Sequence, residues 1–143
     1  MQKTPRAVLD TVVLVRGLIN PSGVWGRLLF DHADRYRLVI SPALLTEYLE
    51  VTARPELTRK FRSLPGHMRE LLDLLSRAEI ITLAALPTFD RDPADAHILA
   101  TAAQGDVDYL ISADNDLLDL GEYAGIPILS APAFLRILEK GRG

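Results

Sequence analysis

The 143-residue chain contains no cysteine. That excludes disulfides and thiolate metal sites outright, and it fits a reducing compartment. Aromatic residues are scarce: Trp25, Phe30, Tyr36 and Phe61 are spaced without the pattern of a base-stacking platform. Trp25 and Phe30, at helical spacing with Leu29, read as core or dimer surface. No apolar run is long enough to span a bilayer. The basic start and the apolar stretch after it are interrupted by Asp10 and Arg16, with no small-residue cleavage site. No signal peptide is expected, and the expectation is a soluble, cytoplasmic chain. The three histidines, His32, His67 and His97, are scattered, so no imidazole metal cluster is expected. A strong charge of either sign is also missing: the net charge is −3. This argues against a DNA-coating role, while leaving open a site in which bound cations offset carboxylates.

What is present is an ample apolar fraction, 48% of residues, enough for one buried core at this length. Short β-branched runs predict five strands: Arg6 to Asp10, Arg37 to Ser41, Glu79 to Leu83, Asp108 to Ser112, and Ile126 to Leu129. Pro127 predicts an edge position for the fifth. Helical patterns lie between them. Ser41-Pro42 caps one that carries Leu44, Leu45, Tyr48, Leu49 and Thr52. Pro65-Gly66 precedes another, with Met68, Leu71, Leu72 and Leu75 as its stripe. Asp92-Pro93 opens a third, through Ile98, Leu99 and Ala102 to Gly105, and Pro132 opens the last. The Asn20-Pro-Ser-Gly23 turn joins two helices near the start. Alternating strand and helix implies an α/β fold with a mainly parallel sheet and right-handed crossovers.

The carboxylates are the informative residues. Asp10 ends the first strand, and Asp114 and Asp116 lie just past the fourth. Parallel sheets bind ligands beyond the carboxyl ends of their strands. Asp95 precedes Ile98 and Leu99 by three and four residues, which puts it beside a buried stripe. Glu47 flanks the apolar face set by Leu44 and Val51, and Glu50 points further toward solvent. Singly, each acid also reads as a helix cap, a dipole partner or a surface residue. Together they ask for a compensating cation, and hard oxygen donors favour Mg²⁺ or Mn²⁺.

At these residues the chain resembles the PIN-domain family, close to the VapC-like toxin branch of bacterial and archaeal toxin–antitoxin pairs. The resemblance is carried by Val8-Leu-Asp-Thr-Val-Val-Leu-Val15, by Leu38 to Leu49 with Glu47, by Arg91 to Ala102 with Asp95, and by Tyr109 to Leu118 with Asp114 and Asp116. The tail from Gly125 to Leu135 also matches the family's last strand and helix. One departure is Val12, where the family commonly has Asn.

The resemblance implies a single PIN-like domain over residues 1–143, three-layered α/β/α with a mainly parallel sheet of about five strands. It implies metal-dependent hydrolysis of RNA, with Asp10, Glu47, Asp95 and Asp114 as the catalytic, metal-holding set. Asp116 would ligate a second ion or orient Asp114. Thr11 and Ser112 are candidate hydrogen-bond donors to ligand or phosphate, or simple capping groups. An antitoxin protein and a second copy of the chain are the implied partners. The basic residues Arg54, Arg59, Lys60, Arg62 and Arg69 are candidate phosphate contacts or a solvated surface, and Arg16 is a candidate for facing the site. The alternative reading is a PIN-fold module that binds RNA or a partner with weakened catalysis. DNA cleavage is a third reading. Phosphotransfer folds are disfavoured: Asp10 lacks the Asp-x-Asp pattern, and no lysine lies near Leu129 at the end of the last strand.

Overall fold

The computed structural model describes residues 4–84 and 93–140. Four central strands form where apolar and β-branched residues run together: β1 (Arg6–Leu9), β2 (Arg37–Ile40), β4 (Tyr109–Ile111) and β6 (Ile126–Leu129). Two strands of two residues each complete the sheet, β3 (Glu79–Ile80) and β5 (Glu122–Tyr123). The order is β3-β2-β1-β4-β6-β5. All pairs are parallel except β5 with β6. β1 is central, in register Arg6↔Arg37 on one side and Leu9↔Ile111 on the other. Its last three residues are fully buried, as expected for a strand covered on both faces.

Among the described residues the sheet therefore has six strands where the sequence predicts about five, and β6 is not an edge. A hairpin turn at Ala124-Gly125, both with positive φ, folds β5 back onto it. Pro127 is tolerated there for a geometric reason. The Ile128 N–H donates to Gly121 O on the β5 side, so the Pro127 nitrogen faces β4 just before the register Leu110↔Ile128 begins. β3 is shorter than expected, although Ile81 N–H still donates to Ile40 O.

The helices are α1 (Thr11–Ile19), α2 (Val24–Gly26), α3 (Pro42–Thr52), α4 (Pro55–Lys60), α5 (Met68–Ser76), α6 (Pro93–Gly105), α7 (Asn115–Leu120) and α8 (Ala131–Lys140). A π-helical turn, Arg27–Asp31, continues α2, and a 3₁₀ turn, Pro65–His67, leads into α5. From β1 the chain steps outward through β2 to β3, then returns through α6 to β4. Right-handed crossovers then place α1 and α3–α5 on one side of the sheet and α6 on the other. α6 packs on β1 and β2.

α3 starts as expected, with the Leu44 N–H donating to Ser41 Oγ. The expected cap of α6 at Asp92 lies outside the described residues. In α5 the buried stripe is Leu71, Leu74 and Leu75, so Leu72, one-quarter turn away and 57% exposed, is not part of it. The core joins both layers: Leu14, Leu18, Leu28, Leu29, Tyr48, Leu99 and Phe134 are fully enclosed. Phe134 of α8 meets Tyr36 edge-on and Tyr109 at a tilt, each ring 5.5 Å away.

Candidate active site

The strand order reverses between β1 and β4, and in open parallel sheets that switch opens a crevice at the carboxyl ends. Asp10 leaves β1 at this point, with its own N–H still donating to Ile111 O of β4. Its side chain is 3% exposed. Oδ1 accepts the Val13 N–H at 2.9 Å, which caps α1. Oδ2 accepts the Ser112 hydroxyl and, at 3.1 Å, the Ala113 N–H. Burial pushes the Asp10 carboxyl above the ordinary carboxylate range. The hydrogen bonds from Ser112, Val13 and Ala113 pull it back, and the charge of Asp114 pushes it up again.

Asp114 is tied to the same point. Its N–H donates to Ser112 Oγ at 3.0 Å, so one hydroxyl bridges Asp10 and the start of the Asp114 loop. Asp114 then caps α7 by accepting the Asp116 N–H at 2.9 Å. Asp116 is exposed on the first turn of α7.

Glu47 reaches the group from α3. It is half-buried, and it accepts the Thr11 hydroxyl, one residue past Asp10. Glu50 is exposed, as its helical position predicts. Asp95 is buried in the first turn of α6, which packs on β1, β2 and α3. Hydrogen bonds therefore link Glu47 to Thr11 and Asp10 to Ser112 and Asp114 around one strand end. Among the described residues, no three acidic or imidazole side chains are already gathered as a metal-binding group.

The donor set nevertheless suits a hard divalent cation. It consists of carboxylate and hydroxyl oxygens, and no ion pair to Asp10, Glu47, Asp114 or Asp116 forms among the described residues. A carboxyl raised by burial and by a neighbouring carboxylate is the group a cation would relieve.

Several residues fall outside this cluster. The Arg16 guanidinium lies 5.0 Å from the Trp25 ring centre, so it stacks on α2. Trp25 and Phe30 pack partly buried against the core. Arg54, Arg59, Lys60, Arg62 and Arg69 are all exposed, on or around α4 and α5. The histidines are dispersed: His32 lies near Glu139, His67 Nδ1 meets Leu18 O, and His97 has a buried Nδ1 with no hydrogen-bond partner among the described residues. Val12, on the first turn of α1, is 45% exposed.

Sequence reading treats Tyr48 only as part of an apolar stripe. In the structure its ring is fully buried and its hydroxyl donates to Leu9 O, the last carbonyl of β1. A tyrosine directly after the helix acid was the only available signal.

A family model described as PIN domain matches residues 6–116. Three solved structures share the architecture. VapBC2 from Rickettsia felis, bound to a promoter DNA fragment, aligns at TM-score 0.58 and 18% identity over 87% of this chain and 98% of that one. DNA-bound VapBC from Salmonella typhimurium aligns at 0.56 and 16%, over 89% and 98%. PAE2754 from Pyrobaculum aerophilum aligns at 0.56 and 14%, over 96% and 91%. These likenesses show the fold. No curated protein sequence matches the chain.

Proposed function

We propose a function from one premise: the chain belongs to the PIN domain family. The reading is a metal-dependent endoribonuclease, the toxin of a toxin–antitoxin pair. The observation that carries it is the placement of Asp10 and Asp114 at the strand-order switch, bridged through Ser112, with Glu47 tethered beside them.

Asp10, Glu47, Asp95 and Asp114 would hold Mg²⁺ or Mn²⁺, with Asp116 at the rim. When bound, the cation supplies Lewis-acid activation of water and charge neutralisation at the scissile phosphate. The protein's part is to fix the oxygens. Ser112 and the backbone N–H groups of Val13 and Ala113 orient the Asp10 carboxylate, and Thr11 orients Glu47. The exposed arginines and lysine around α4 supply attraction for the RNA backbone that an acidic edge lacks. Two of the structural relatives are VapBC assemblies, which supports an antitoxin protein as partner. A homodimer is the accompanying assembly state.

The test is cleavage of a pool of structured and single-stranded RNAs by the antitoxin-free protein, with Mn²⁺ or EDTA, beside Asp10→Asn. We expect cutting that requires metal and disappears in the variant while its thermal transition stays. RNA binding without cutting, in folded protein at saturating Mn²⁺, would overturn the nuclease reading in favour of a binding module. Cutting of DNA rather than RNA would reassign the substrate.

A further inference from the structure

Tyr48 and Glu47 are consecutive on α3, and each reaches across to a residue adjacent to Asp10. The Tyr48 hydroxyl donates to Leu9 O, and the Thr11 hydroxyl donates to Glu47 Oε2. Two hydrogen bonds from one turn of α3 thus straddle Asp10 along the chain, one before it and one after.

The first of these bonds sits where the sheet runs out. Arg37 N–H donates to Pro5 O, while Asp108 N–H donates to Arg6 O on the other side of β1. By strand alternation the Leu9 carbonyl faces β2. The next donor in that ladder would come from Ser41, but β2 ends at Ile40 and Ser41 is already the cap of α3. The phenol takes the carbonyl where the two strands part. Tyr48 is fully buried, so this hydroxyl has no solvent alternative.

We propose that Tyr48 is a positioning residue for the acidic site. By fixing the end of β1 to α3, it sets the separation of the Asp10 and Glu47 carboxylates. Thr11 is the second rung of the same clamp. This inference rests on the reading of those acids as a metal-holding pair. Without the hydroxyl, α3 remains packed through Leu44 and the Tyr48 ring position, yet the two carboxylates lose their fixed spacing. Partners that orient metal-holding groups typically change metal affinity or turnover by about tenfold to a hundredfold when removed.

The experiment compares Tyr48→Phe, Thr11→Val and Phe134→Leu with the wild type. Phe134 is a core control, packed on Tyr36 and Tyr109. Thermal midpoint, Mn²⁺ dissociation constant, kcat and KM for a cleaved RNA are measured well below each midpoint. We expect Tyr48→Phe to weaken Mn²⁺ binding and lower kcat by about tenfold with KM unchanged. Thr11→Val shifts the same way, and Phe134→Leu lowers only the midpoint. Unchanged Mn²⁺ affinity and kcat in folded Tyr48→Phe would overturn the proposal, leaving a purely structural bond. Equal losses in Phe134→Leu would overturn it as well. If the wild type cuts no RNA, the nuclease reading fails on its own, and Mn²⁺ affinity alone then decides the role of Tyr48.

Discussion

Asp10 serves two ends with one carboxylate. Oδ1 closes the first turn of α1, and Oδ2 holds the loop after β4. The two tasks separate by mutation. Asparagine is itself a good helix cap, so Asp10→Asn keeps the Val13 bond, but its buried amide NH2 then faces the Ala113 N–H, and we expect a lowered thermal midpoint in a still cooperative transition. Asp10→Ala also loses the cap, and we expect an extra cost of about 1 kcal/mol in denaturant unfolding. The raised carboxyl adds a pH signature. In the metal-free folded chain Asp10 holds its proton to higher pH than in the unfolded chain. The stability this contributes is full below the ordinary carboxylate range and is lost as pH rises through the raised value. The stability of wild type relative to Asp10→Asn should therefore fall as pH is raised from about 4 toward neutrality. Urea titrations across that range would show it, and a flat difference would contradict the burial argument.

Of the site, the acids were legible because strand ends and helical spacing fix where carboxylates lie. Asp10, Glu47 and Asp114 land around one strand end on those grounds. Their hydroxyl partners were less so. Ser112 and Thr11 read as donors to a ligand or phosphate, or as caps, rather than as partners of the acids, and Tyr48 reads as apolar stripe alone, since its partner Leu9 lies 39 residues away. A hydrogen bond between distant segments leaves no period in the sequence.

At the scale of elements, strong periodicity transferred well and short pieces did not. β1, β2, β4, β6 and the helices α3, α5 and α6 form within a few residues of where the pattern predicts them. α4, α7 and β5 went unread: each is six residues or fewer, too short for a repeat to emerge. α4 buries no residue at all. Pro127 suggests an outer edge because it lacks an N–H, but the gap falls at the beginning of an inner ladder.

Close approach governs the join between α1 and α2. A Cβ on Gly26 would stand 2.1 Å from the Pro21 carbonyl oxygen, which is backbone and cannot rotate away. Gly26→Ala should cost about 1–3 kcal/mol of stability, measured by urea unfolding. At the opposite end of the sheet from the acids, Arg6 clasps Glu79 through two hydrogen bonds and reaches the carbonyls of Gly105 and Asp106. It thereby joins β1, β3 and the end of α6. Arg6→Met should destabilise by about 1–3 kcal/mol, chiefly by leaving carbonyls without their charged donor. Arg6 also holds the Glu79 carboxyl below its ordinary range, so this contribution is present above that range and is lost as pH falls through the lowered value.

For the whole molecule, one core couples the two sides. Phe134 comes from the last helix yet touches Tyr36 before β2 and Tyr109 of β4. Phe134→Ala should cost about 3–5 kcal/mol and lower the melting temperature in a single cooperative transition. Two separate transitions would show instead that α8 folds as an independent unit. Among the described residues no helix is long and apolar enough to cross a membrane.

The outermost strands, β3 and β5, carry a consequence for how molecules of this protein meet. Among the described residues each is a strand of two residues, and β5 is turned back in the antiparallel sense. A neighbouring chain would find too short a template on either side to continue the hydrogen-bonded ladder. Edge strands this short disfavour growth by strand addition, the route to fibrils and runaway aggregation. Any contact between molecules then falls to side chains on the helices, where surface shape and charge choose the partner.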